Sequence, residues 1–189
     1  MFDKLKEWDT QLFLYLNGKH NSFSDVIMYW ASDKLFWIPF YIVLLIIVIK
    51  HFKKRSILIL LHIAALITAS DQVSSNLIKN TVKRLRPSHE AAIQDLIHLS
   101  KAGAGGTYGF VSSHASNSFA LFVFLSFILP ASFKPLKYIL LFWALLVGYS
   151  RIYVGVHYPG DVVFGALLGS ILGWLLSRLY FYIAAKVSW

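Results

Sequence analysis

The 189-residue chain is 57% hydrophobic and only 14% charged, with a net charge of +9, which is too apolar for an ordinary soluble domain of one-domain length. It has no cysteine, so disulfides, thiolate catalysis and cysteine-based zinc sites are excluded. Its bases are scattered between apolar segments, an arrangement that suits anionic lipid headgroups and argues against nucleic acid as a partner.

The first 25 residues open with a short amphipathic pattern. Leu5, Trp8, Leu12 and Leu16 recur at helical spacing, with Lys4, Lys6, Glu7, Asp9 and Gln11 mostly elsewhere. Asn17-Gly18 stops the pattern. The segment is too polar to span and is expected to lie at the membrane interface; it also lacks the uninterrupted apolar core of a cleavable signal peptide. Apolar stretches near 26–49, 56–78, 114–130, 136–155 and 161–184 each approach the ~20 residues a membrane helix needs. Lys50 to Arg55 form a basic turn, and the second helix is expected to continue through Arg84. A polar loop over 87–113 carries Gly103, Gly105, Gly106 and Gly109, and Pro130 and Pro135 bracket the next turn. Trp174, Tyr180, Tyr182 and Trp189 suit interface positions. The expected fold is therefore an all-α membrane protein. It is one domain over 1–189, a bundle of about five transmembrane helices, or six, preceded by an interfacial amphipathic helix within 1–25. Lys and Arg counts on the two sides nearly balance, so orientation rests on the compact cluster at 50–55, placed in the cytoplasm.

Three groups of reactive residues map to the opposite face. Lys79 and Arg86 are seven apart, so on one helix they would share a face about 10.5 Å apart along the axis, with Pro87 ending that helix. The alternative for this pair is a basic helix end reaching headgroups. Ser112-Ser113-His114 follows the glycine-rich loop; either serine can cap the next helix, whose first turn offers free N–H groups to an anion. His114 stands where a proton donor to a leaving group could sit, although a plain cap beside an interfacial histidine explains this group alone. The third group holds Arg151, His157 and Asp161. Asp161 can fix the tautomer of His157 and leave its other nitrogen nucleophilic, or cap the last helix, or both. Arg151 can grip phosphate oxygens with a bidentate fork. Jointly these are the parts for phosphoryl transfer through a phospho-histidine. No metal is expected, because the surrounding residues are mostly cationic.

These motifs resemble the type 2 phosphatidic acid phosphatase family, which includes vanadium haloperoxidases and bacterial acid phosphatases. Lys79, Arg86 and Pro87 match its first motif, Ser112 and His114 part of its second, and Ser150, Arg151, His157 and Asp161 its third. The likeness covers about residues 56–184. It implies that Lys79, Arg86 and Arg151 bind phosphate, with Ser112 and the backbone of Ser113 adding hydrogen bonds. His157 would attack phosphorus, Asp161 orient it and His114 protonate the leaving oxygen, with no metal or other cofactor. Val111 and Ser113 depart from the usual proline and glycine; the first change removes a fixed φ and the second adds a side chain beside the phosphate.

The short chain is similar to bacterial membrane-bound lipid phosphatases. The resemblance implies a cytoplasmic (inner) membrane enzyme with its site on the extracytoplasmic face. Its substrate would be a lipid phosphate or pyrophosphate, namely undecaprenyl pyrophosphate or lipid A, with phosphatidylglycerol phosphate or phosphatidic acid as alternatives. Vanadate, which mimics five-coordinate phosphorus, is the expected inhibitor. A phospholipid-binding or transport protein and a structural membrane subunit are the readings from other classes; both leave His114, His157 and Asp161 unused. Asp71, inside the second span, is costly there and is read as lining the approach to the site or facing a polar helix contact.

Overall fold

The computed structural model describes residues 2–187; Trp189 lies outside the described residues. Helix α1 runs Phe2–Asn17 and α2 Ser22–Ser32. An apolar hairpin follows, α3 Ile38–Phe52 and α4 Ser56–Asp71, joined by the basic turn Lys53–Arg55. α4 continues through a π-helical segment, Gln72–Ile78, into a single helical turn, α5 Lys79–Val82. After the polar loop come α6 Ser113–Ile128, α7 Lys134–Tyr153 and α8 Pro159–Ala184. The stretches Leu35–Val82, which holds both arms of the hairpin, Ala131–Tyr153 and Pro159–Ala184 are long and apolar enough to cross a membrane, and α6 is a shorter apolar helix. Among the described residues this is an all-helical membrane bundle, its only sheet-like pairing being one bridge between Leu85 and Tyr108.

Two expected boundaries move. The stretch near 26–49 is not one helix: Asp33 adopts an extended backbone (φ −83°, ψ 126°) and its carboxylate accepts the N–H of Leu35 at 2.9 Å. An acidic side chain that competes for nearby N–H groups favours a break, so the apolar helix begins only after residue 34. The second helix does not reach Arg84 either. Lys83 takes a left-handed conformation (φ 51°) and ends it at Val82. Arg86, restricted by Pro87, is extended and pairs with the loop through Arg86 N–H to Thr107 O at 3.0 Å. Lys79 and Arg86 thus meet across a chain reversal and do not share a helix face.

The bundle is built on α6 and α8, which approach almost backbone to backbone. Gly165, Gly169 and Gly173 recur every four residues on α8, so they form one stripe. A methyl group on Gly169 would lie 2.0 Å from the Ser116 carbonyl oxygen, and one on Gly173 2.5 Å from that of Ala120. Small residues spaced this way let membrane helices gain van der Waals contact where no hydrophobic drive exists between them and lipid. The flanking core buries Leu66, Phe124, Leu125, Leu140 and Trp143 between α4, α6 and α7, while Ile42, Phe142, Leu167 and Ile171 face outward.

Helix α1 is amphipathic as expected, with Leu5, Trp8 and Leu12 exposed, but its other face docks on the protein. Phe13 is fully buried against Tyr158, ring centroids 5.4 Å apart. The buried Asn17 amide donates to the carbonyls of His98 and Tyr153, at 2.9 and 2.8 Å. Substituting Gly169 by Leu should force α6 and α8 apart, costing about 1–3 kcal/mol or more as overpacking does; thermal unfolding of the detergent-solubilised protein measures it, and an unchanged midpoint would refute the tight helix contact.

Candidate active site

The site forms where three chain segments meet at one end of α6 and α8. His157 precedes α8 by two residues and is 1% exposed. Its Nδ1 lies 3.3 Å from the Asp161 Oδ2 and its Nε2 3.1 Å from a terminal nitrogen of Arg86. Arginine can only donate, so Nε2 is the acceptor and Nδ1 carries the proton toward Asp161. That tautomer leaves the Nε2 lone pair available to an electrophile.

Asp161 is fully buried and every interaction of its carboxylate has a purpose. Oδ2 accepts the Tyr158 N–H at 3.0 Å, which caps the start of α8, so the residue both caps and orients. Oδ1 accepts from Arg84 at 2.9 Å, and Arg84 reaches on to Asp9 of α1 at 2.7 Å. Asp9 in turn accepts the Gly160 N–H at 2.7 Å. The Arg84 guanidinium also lies over the Tyr158 ring, 3.9 Å from its centroid. Arg84 and Asp9 were given no role from sequence: Asp9 sits in a remote amphipathic helix, and no local pattern marks it. Gly109 is required by closeness, since a methyl group there would stand 3.0 Å from Asp161 Oδ2.

The expected phosphate ligands also converge. Arg86 is held by the carbonyls of Tyr108 and Val156, at 3.2 and 3.3 Å. Arg151 donates to Ser32, and its Nε is buried without a partner among the described residues, which leaves a donor available for an anion. Lys79 donates to the Ser113 hydroxyl at 3.0 Å, and Ser75 shares that hydroxyl at 2.8 Å. The side chain that replaces the family's glycine is therefore turned onto the lysine. Ser112 is fully buried, and its hydroxyl accepts the Ala115 N–H at 3.4 Å as the α6 cap. What Ser112 brings to the site is the start of the helix, with N–H groups free for an anion. Val111 is buried, its loop tied down by Gly109 N–H to Arg84 O at 2.9 Å. His114 opens α6 within electrostatic range of Arg151, Lys34, His157 and Lys79. Asp71 lies beside Ser75, 3.4 Å from its hydroxyl, and lines a cavity that reaches His114.

Burial, then the cations Arg86, Arg151 and Lys79, hold the His157 ring well below the ordinary imidazole pKa. The protonated form is the disfavoured one, so the ring stays a free base as pH falls through 6.5. NMR titration of the labelled imidazole should place its midpoint below 6.5, moving upward in Arg86→Ala; a midpoint at or above 6.5 in the native protein contradicts this electrostatic account. Replacing Asp9 by Ala should release Arg84 from one carboxylate and lower kcat by roughly tenfold, as positioning losses do, with little change in KM; an unaltered kcat would show that the Arg84 bridge does not tune the site.

A family model described as the PAP2 superfamily matches residues 58–185. The chain is 38% identical to the lipid A 4'-phosphatase of Bacteroides thetaiotaomicron over 190 residues, covering 100% of this chain and 82% of that one. It is 33% identical over 183 residues to the lipid A 4'-phosphatase of Porphyromonas gingivalis, covering 95% and 76%. Among solved structures, Aquifex aeolicus LpxE superposes with a TM-score of 0.66 at 26% identity, over 89% of this chain and 94% of that chain. The transmembrane PAP2-type phosphatidylglycerolphosphate phosphatase from Bacillus subtilis superposes with a TM-score of 0.72 at 17% identity, over 98% and 88%, a likeness of fold. The chain belongs to the PAP2 superfamily, in its membrane-bound lipid phosphatase branch.

Proposed function

We propose that this enzyme hydrolyses the 4'-phosphate of lipid A through a phospho-histidine intermediate. The observation that carries the mechanism is the His157 ring, held by Asp161 on one nitrogen and presenting the other among Arg86, Arg151 and Lys79. Nε2 attacks phosphorus while the bond from phosphorus to the sugar oxygen breaks. His114 donates a proton to that oxygen, and Asp161 balances the charge that develops on the ring. Lys79, Arg86, Arg151 and the N–H groups at the start of α6 hold the three remaining oxygens as charge spreads over them. Water then attacks the phospho-histidine, the P–N bond breaks and inorganic phosphate leaves. No step calls for a metal or cofactor.

Lipid A is favoured over undecaprenyl pyrophosphate because two relatives named as lipid A 4'-phosphatases match 95% or more of the chain. The extracytoplasmic face of the cytoplasmic membrane is favoured for the site, since the basic turn Lys53–Arg55 stands at the far end of α4 from Lys79 and basic turns prefer the cytoplasm.

Phosphate release from lipid A, measured in detergent with EDTA present, should persist in the wild type and fall roughly 10⁴-fold or more in His157→Ala. Vanadate should inhibit it. Equal release by both proteins would sink the nucleophile assignment, and release only from undecaprenyl pyrophosphate or phosphatidylglycerol phosphate would sink the substrate.

A further inference from the structure

A cavity of about 670 Å³ reaches His114 between α3, α4, α6 and α7. Its composition is graded. Next to His114 it is lined by Asp33, Lys34, Asp71, Gln72 and Asn117; deeper it is lined by Leu44, Val48, Leu121 and Leu125. Helix periodicity explains the gradient on α6: His114, Asn117, Leu121 and Leu125 share one face. From His114 to Leu125 that face is roughly 16 Å long at the helical rise, comparable to half of a ~30 Å hydrocarbon core. The deep part therefore suits an acyl chain from a single leaflet, and the polar part lies where the leaving group of a lipid phosphate must sit, beside its proton donor.

One observation defines what that leaving group carries. The side-chain carbonyl oxygen of Asn117, one turn from His114, is buried without a hydrogen-bond partner among the described residues. A buried acceptor without a donor is costly, and a ligand that supplies an N–H or O–H removes the cost.

We infer that Asn117 selects the leaving group: the cavity accepts phosphate monoesters whose alcohol carries an N–H or O–H donor near the ester oxygen and an acyl chain beyond it. An acylated amino sugar meets this description; phosphatidic acid and a polyprenyl diphosphate lack the donor. The inference rests on the phosphatase reading above and narrows its substrate class.

The test compares kcat/KM of wild type and Asn117→Leu on three lipids: lipid A, lysophosphatidic acid and phosphatidic acid. Lysophosphatidic acid differs from phosphatidic acid by one free hydroxyl on the leaving alcohol. Asn117→Leu should lower kcat/KM on lipid A and lysophosphatidic acid about tenfold relative to phosphatidic acid, the worth of one buried hydrogen bond. Ratios between these lipids that stay at wild-type values overturn the inference, and thermal unfolding of the variant identifies a folding defect. Should the wild type ignore lipid A yet show the predicted Asn117 effect between lysophosphatidic and phosphatidic acids, the lipid A reading fails and the selection by Asn117 stands.

Discussion

The near-contact of α6 with α8 sets everything else in this molecule. Because Gly165, Gly169 and Gly173 offer no side chain, the two helix axes close until carbonyls of one lie against the α-carbons of the other. That closeness brings the first turn of α6 beside the first turn of α8, with Asp161. The Ser112 N–H then donates to the Asp161 carbonyl at 2.9 Å, which locks the register of the two helices at the end where the chemistry sits. A wider spacing would separate His114 from His157 and leave the cations without a common focus.

Within that frame the electrostatics have one hub. Asp161 is a buried carboxylate, and burial alone would be prohibitive. Arg84, the Tyr158 N–H and the His157 ring satisfy it, and Asp9 completes the balance by pairing the other arm of Arg84. The arrangement extends the candidate site to the N-terminal helix: α1 contributes an acidic residue to the support of Asp161 and His157, while Phe13 and Asn17 anchor the helix itself. The other cations are held differently. Arg86 and Arg151 are gripped through backbone carbonyls and a serine, partners that position a guanidinium without neutralising it, so its charge remains available to an anion.

Much of this was readable in the residues. The five apolar helices followed from composition and length, because a bilayer imposes a nearly fixed span. The eight candidate residues singled out by motif spacing are all brought to one end of the bundle. Two boundaries were not readable in the residues. Continuation of the second helix through Arg84 and a first span from 26 follow from a local pattern that no proline or glycine interrupts. Lys83 in the left-handed region and the extended Asp33 are not marked by such residues; the carboxylate of Asp33 takes the Leu35 N–H, and beyond Lys83 the chain pairs with Tyr108 through Leu85.

By itself, then, the sequence determined the all-helical membrane class and membership among the lipid phosphatases, since these depend on hydropathy over a window and on short spacings along one chain. Only the tertiary structure decided the tautomer of His157, the Arg84–Asp9 support behind Asp161, the turning of Ser113 onto Lys79 and the graded cavity beside His114. Each of these joins segments tens of residues apart, and such pairings arise from three-dimensional packing that no local periodicity encodes.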